Sequence, residues 1–374
     1  MKITDIEGLV LRPGEVDATR ADGTQDAFLV KIHTDEGVTG VGEGDTSPYV
    51  AREMITMPAS HSIARGFREL LVGEDPLRVR PLWSKMYGAT YHYGRDGAAL
   101  HAMSAIDMAL WDILGKVAGL PVAQLLGGQE ADHAAGYASE VMPETPEEVA
   151  ALAQRVVDEG FTALKLGWGP LGQDCGRDVE LTAAARGVLG PGRRLMIDGG
   201  MAYSLRGARE FCRRAEPLGL FWFEEPFEAD DYRSYARLAD SVGIRIACGE
   251  AHSGTAPFRR LIEANVDVLQ PDLGRCGGFT VARDIAAMSQ EQGSVLVVPH
   301  CFSTDVLLAA TLQFAATLGR ERLIEFPVTA AKRLGTILTE PITPTGGVLH
   351  VPAGPGLGIE LDHDEVKRRM ARPG

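Results

Sequence analysis

The chain predicts an α/β fold: a TIM-like barrel of eight βα-type units, preceded by an N-terminal α+β domain. Three observations carry this. From about Asp132 onward, short apolar runs alternate with amphipathic stretches such as Pro146 to Glu159, Asp178 to Val188 and Gly278 to Gln292, the rhythm of a parallel sheet wrapped by helices. Eight of the runs close near Tyr137–Glu140, Lys165–Gly167, Asp198, Glu224, Glu250, Asp272, His300 and Glu325, and polar residues at the ends of parallel barrel strands gather at one mouth. Ahead of them lie apolar-rich, β-branched runs divided by turn signals, followed by a long stretch of helical period.

Taken in order, Ile3 to Leu11 and Ala27 to His33 read as antiparallel strands, joined by a polar segment from Gly14 to Gln25 that is too long for a tight hairpin and is expected to be a mobile loop. Asp35-Glu36-Gly37 is a turn before a third strand, Val38 to Glu43. From about Val50 the period is helical, and Ala98 to Leu114 sets Ala102, Ile106, Ala109, Leu110 and Ile113 on one face. Pro121 and Gly127-Gly128 close this region. The N-terminal α+β domain is thus expected at residues 1–128 and the barrel at 129–345. A Gly- and Pro-rich tail, 346–374, is expected to leave the barrel and pack back on the first domain.

With 374 residues, 45 % of them hydrophobic, the chain has the length and composition of a large globular protein. Its net charge of −14 argues against nucleic acid or an anionic membrane as a partner. An anionic substrate would need local positive charge. The five cysteines are scattered without a CxxC pair, which argues against a disulfide framework or a zinc site and fits the cytoplasm. The N-terminus has no signal-peptide character, and no run approaches the roughly 18 apolar residues of a membrane span.

Asp198, Glu224 and Glu250 recur at intervals of 26 residues, each after an apolar lead-in. Singly, an acid at a strand end is more often a turn or cap residue. Three with a shared lead-in form a hard-oxygen set suited to Mg²⁺, which keeps open positions for a substrate carboxylate. A cation there would offset the charge that develops when a proton is removed alpha to that carboxylate. Asp272 and His300 end neighbouring strands, so the carboxylate can fix the imidazole tautomer and raise its basicity. Lys165 stands before the triad and is either a neutral base or a cation holding the carboxylate. Glu325 adds a further carboxyl group, and Glu225 reads as a supporting neighbour of Glu224.

This order resembles the enolase superfamily, and within it the mandelate racemase subgroup. The resemblance spans essentially the whole chain: Thr34 to Glu43, Trp222-Phe223-Glu224-Glu225-Pro226, Gly249-Glu250, Pro271-Asp272 with Gly277-Gly278, Pro299-His300 and Pro355 to Ile359. It implies a (β/α)7β TIM-like barrel with an N-terminal α+β capping domain, Mg²⁺ on Asp198, Glu224 and Glu250, an Asp272–His300 base dyad, a Glu325 that bonds the substrate carboxylate, and a homo-oligomer, dimer or octamer. Where two-base members of the family carry Lys-x-Lys, this chain reads Lys165-Leu166-Gly167. One-sided chemistry is therefore expected: His300 removes the alpha proton and then protonates the leaving β-hydroxyl, as in an acid-sugar dehydratase. The resemblance also places a lid over the mouth, built from the first interstrand loop and Thr46 to Val50. Glu15, Asp17, Thr19, Arg20, Asp22 and Thr24 make that lid polar, suited to a polyhydroxy acid. Arg20, Trp168 and His252 are the candidate substrate-binding residues. The alternatives are an epimerase, racemase or cycloisomerase on the same site, a Schiff-base aldolase using Lys165, and a degenerate binding barrel. His33, His61, His92 and His101 have no sequence signal for the mouth.

Overall fold

In the computed structural model, residues 1–12, 14–17, 25–319, 321–329 and 335–371 are described. The first three strands, β1 (Ile3–Leu11), β2 (Ala27–Thr34) and β3 (Thr39–Gly44), form an antiparallel sheet in chain order. Against β3 lies the helix Ala98–Ala118, with 15 of its 21 residues buried. Glycine makes that contact possible. A Cβ at Gly40 or Gly42 would strike the carbonyls of Ala109 or Ala105, so strand and helix touch backbone to backbone.

The remaining strands are β4 (His133–Val141), β5 (Ala163–Gly167), β6 (Arg194–Asp198), β7 (Trp222–Glu224), β8 (Ile246–Cys248), β9 (Val268–Leu269), β10 (Leu296–Val297), β11 (Leu323–Phe326) and β12 (Val348–His350). From β4 to β10 each pairs in parallel with the next, and β11 returns to pair with β4. This is the TIM-type barrel. Inside it, Tyr137, Ala163, Met196, Trp222, Ala247, Val268, Val298 and Leu323 form a separate apolar plug, one residue from each strand segment.

Three strand ends differ from expectation. β8, β9 and β10 stop at Cys248, Leu269 and Val297, short of Glu250, Asp272 and His300. Gly249 adopts φ 143°, and Pro271 and Pro299 have no N–H to continue the ladder. These three site residues are therefore delivered by the first turn of each loop. The tail is also corrected in part. It first adds β12 antiparallel to β4 on the barrel, through a turn with Gly346 and Gly347 at positive φ. Only then does it reach the helix Ala98–Ala118, where Asp112 accepts from the N–H of Leu357 at 2.9 Å.

Carboxylates from the capping domain cap barrel helices. Glu43, fully buried, accepts from Thr304 and Leu307 N–H at 3.1 and 2.8 Å and from the Ser303 and Thr304 hydroxyls at 2.7 and 2.6 Å, at the start of the helix Asp305–Ala315. Asp107 accepts from the Thr280 N–H and hydroxyl at 3.0 and 2.6 Å, in the first turn of the helix Gly278–Gln292. Such caps satisfy helix-start N–H groups that have no partner within the helix. Glu43→Ala should therefore cost about 3 kcal/mol of unfolding free energy, because buried donors lose their acceptor. Denaturant titration would check this, and an unchanged midpoint would refute it.

Candidate active site

Side chains in a strand repeat face every two residues. Two positions beyond the apolar plug, the inward set becomes Ser139, Lys165, Asp198, Glu224, Gly249, Gln270, His300 and Glu325. A dry floor thus carries a polar layer directly above it, at the mouth where barrel chemistry is built. Gly249 breaks the polar series, and Glu250 follows it.

Asp198, Glu224 and Glu250 converge, with one oxygen from each within 4.8 Å of the others. Each is held in place. Asp198 accepts from Gly200 N–H at 2.9 Å and from the Trp168 indole at 3.1 Å. Glu224 accepts from the Trp222 indole at 2.8 Å and from the Gln270 amide at 2.7 Å. Glu250 meets Arg275 at 3.3 Å. Burial, and then neighbouring Glu224, raise Asp198 well above the usual carboxylate range. Three mutually repelling, oriented carboxylates fit a divalent cation by charge and by donor chemistry.

On one side of the triad, His300 Nδ1 lies 2.6 Å from Asp272, whose other oxygen accepts from Gly274 N–H at 2.6 Å. The second ring nitrogen faces Glu250 at 3.3 Å and Glu325 at 3.7 Å. Burial works against charge on His300, but Glu250, Glu325 and Asp272 outweigh it and push the imidazole up to about 10. On the other side, Lys165 Nζ sits 2.5 Å from Glu224 and 2.8 Å from Glu325. Burial again opposes the charge, yet those two carboxylates raise Lys165 well above its ordinary value, so it stands as a cation. Glu325 lies between the two and stays well below the usual range, because Lys165 and His300 overcome its burial.

Gly167 pairs with Asp198 across the ladder, and a Cβ there would overlap the Asp198 side chain. In this backbone the position has no room for a second base. Gly167→Ala should accordingly displace Asp198 and weaken metal binding roughly 10-fold or more, as read by calorimetric titration. Wild-type affinity would refute this.

The other expected residues fall in different places. Trp168 is 38 % exposed beside Asp198. His252 is buried, stacked on Tyr232 with centroids 5.7 Å apart and edge-on to Phe258. It lines a cavity of about 660 Å³ with Trp83, Tyr87 and Arg95 of the capping domain. Arg20, with Thr19, Asp22 and Thr24, lies outside the described residues. Glu225 turns away from the triad and accepts from Gly249 N–H at 3.3 Å. Burial, with Glu250 and Glu224, lifts it to about 8.

Several participants escaped the sequence reading. Asp45, just past β3, bonds Arg275 at 2.6 Å and forms a second acidic group with Asp272 and His300. His101 lies close enough to Asp272 and Arg275 to feel both, and burial is the main force taking it down to about 4. Gln270 and Trp222 each precede a site carboxylate by two residues, so strand alternation was the available signal. Asp45 and Arg275 meet only through the packing of two domains and left none.

Comparison with known proteins agrees with this layout. Residues 148–366 match the enolase C-terminal domain-like family, and residues 7–127 match the N-terminal domain of mandelate racemase and muconate lactonizing enzyme. The chain belongs to the mandelate racemase / muconate lactonizing enzyme family of the enolase superfamily. Within that family it is 34 % identical over 362 residues, 92 % of each chain, to a D-galactarolactone cycloisomerase of Agrobacterium fabrum. It is 33 % identical over 360 residues, 92 % of this chain and 91 % of the other, to a D-galactonate dehydratase of Variovorax paradoxus. The crystal structure of a 3,6-anhydro-D-galactonate cycloisomerase from Zobellia galactanivorans superposes with a TM-score of 0.88 at 33 % identity, covering all of both chains. The chain is an enolase-superfamily enzyme, and such enzymes use a divalent metal.

Proposed function

We propose that this enzyme is a Mg²⁺-dependent acid-sugar dehydratase that works by one-sided β-elimination. The observation that carries the reading is the asymmetry of the site: an imidazole backed by Asp272 on one side, and on the other an ion-paired lysine followed by Gly167 where two-base relatives carry a second lysine. A divalent cation on the three carboxylates would stabilise charge developing on the substrate carboxylate and, by neutralising Glu250, relieve the pull that raises His300. Lys165 and Glu325 orient that carboxylate. His300 takes the alpha proton on the nitrogen facing Glu250, while Asp272 holds the opposite nitrogen and stabilises the imidazolium. The same imidazolium then gives its proton to the β-oxygen as the carbon–oxygen bond breaks. The enol product tautomerises to a 2-keto-3-deoxy acid.

A second reading is supported by two of the relatives, whose names are those of cycloisomerases. If the β-oxygen belongs to a ring, the same proton removal and bond cleavage open the ring and nothing leaves. Dehydratase and cycloisomerase then differ in substrate, not in catalytic groups. A cytoplasmic location and a homo-oligomer of two or eight copies belong to the same proposal. No described helix is long and apolar enough to cross a membrane.

The test is a panel of acid sugars and their lactones with Mg²⁺ in D₂O, followed by proton NMR with an EDTA control. A metal-dependent 2-keto-3-deoxy product from an open acid supports dehydration. Turnover of lactones alone would replace it with cycloisomerisation. Alpha-deuteration with inversion would overturn the one-base site.

A further inference from the structure

We infer that Trp168 is a positioning residue for the metal ligand Asp198, and this inference rests on the metal-site reading above. The sequence alone offers this residue as a wall of the sugar pocket. In the fold, its indole N–H is already committed to Asp198 Oδ2 at 3.1 Å, and its backbone N–H donates to the Asp198 carbonyl at 3.3 Å. Asp198 is thus gripped twice by one residue of the preceding strand end. Its other carboxylate oxygen takes Gly200 N–H at 2.9 Å. With one donor on each oxygen, the carboxylate cannot rotate about its Cβ–Cγ bond without losing both. One of its oxygens lies within 4.8 Å of an oxygen of Glu224 and of Glu250.

Backbone conformation supports the same role. Trp168 has φ 59°, a region that L-residues with bulky side chains rarely enter, and such outliers persist where the surroundings hold them. The strained turn folds the indole back over Gly200, where an added Cβ would stand 3.1 Å from Trp168 Cδ2. Gly200 itself is at φ 54°. The left-handed Trp168 and the missing side chain at 200 are two halves of one arrangement, which brings an indole N–H onto a metal ligand. Glu224 has the same support from Trp222 at 2.8 Å. Two of the three ligands therefore each receive an indole hydrogen bond. Outer partners of metal ligands typically govern affinity 10- to 100-fold.

The experiment is calorimetric titration of Mg²⁺ and Mn²⁺ into the substrate-free enzyme and into Trp168→Phe, which keeps an aromatic ring but has no donor. We expect roughly 10-fold weaker binding in the variant, with unchanged circular dichroism. Equal affinity in a folded variant would overturn the inference while leaving the metal site standing. Absence of binding to the wild type would instead overturn the metal-site reading. A second measurement does not depend on the variant folding. The wild-type chain has four tryptophans and, labelled with 5-fluorotryptophan, should show four ¹⁹F signals. Mg²⁺ should move two of them strongly, those of Trp168 and Trp222. A Trp168 signal that stays in place when Mg²⁺ is added would refute its role.

Discussion

His300→Asn is expected to lower turnover by about 10⁴-fold, the upper range for loss of a general acid–base group, while Mg²⁺ still binds. Both proton transfers in the proposed reaction pass through this imidazole, so one substitution removes the base and the acid together. In the proposed reaction Lys165 does not replace it. That buried side chain is fixed between Glu224 and Glu325, where it would hold the substrate carboxylate. Asparagine retains a polar group beside Asp272, so the carboxylate is not left without a partner and the fold should hold. Single-turnover NMR in D₂O would show neither product nor alpha-deuteration, and titration calorimetry would show unaltered metal affinity. Residual rates within about tenfold of wild type would disprove the one-base mechanism, because a group acting through only part of the reaction gives a smaller loss.

Glu224→Gln should weaken metal binding by at least about 100-fold, beyond the cost of losing an outer partner alone. Glu224 is the most constrained of the three carboxylates proposed as ligands: fully buried, paired with Lys165 through one oxygen, and bonded to Trp222 and Gln270 through the other. The amide removes the negative charge and turns an NH₂ toward donors that need an acceptor. Lys165 then keeps only Glu325 as a close partner, so its hold on the substrate carboxylate should loosen as well. The measurable pattern is a higher metal requirement together with a raised KM. A normal metal requirement with only a lower kcat would mean that Glu224 is not a ligand.

Much of this site was legible because barrel strands impose a strict grammar. An apolar lead-in fixes the strand, alternation fixes the inward face, and a charged residue at the tip has nowhere to go but the mouth. That logic found Lys165, Asp198, Glu224, Glu250, Asp272, His300 and Glu325. It placed the last residues of three strands slightly wrong, because Gly249, Pro271 and Pro299 end the ladders early. It gave no sign of the hydrogen bond from the Trp168 indole to Asp198, which depends on a left-handed φ that no periodicity encodes. Asp45 and Arg275 were illegible for another reason: they are 230 residues apart, and only the packing of the capping sheet on the mouth brings them together. The gap at Gly167 was readable as a missing lysine; the structure adds that a Cβ on this backbone would overlap Asp198.

The capping carboxylates bear on how such proteins can be recombined. Two helices of the barrel begin on acceptors contributed by Glu43 and Asp107, which lie in the other half of the molecule. A chimera that kept this barrel and imported a foreign lid would need an acid at both positions, whatever substrate the new lid was chosen to recognise. Modular exchange between relatives is therefore governed by two structural acids as much as by the loops that read the sugar.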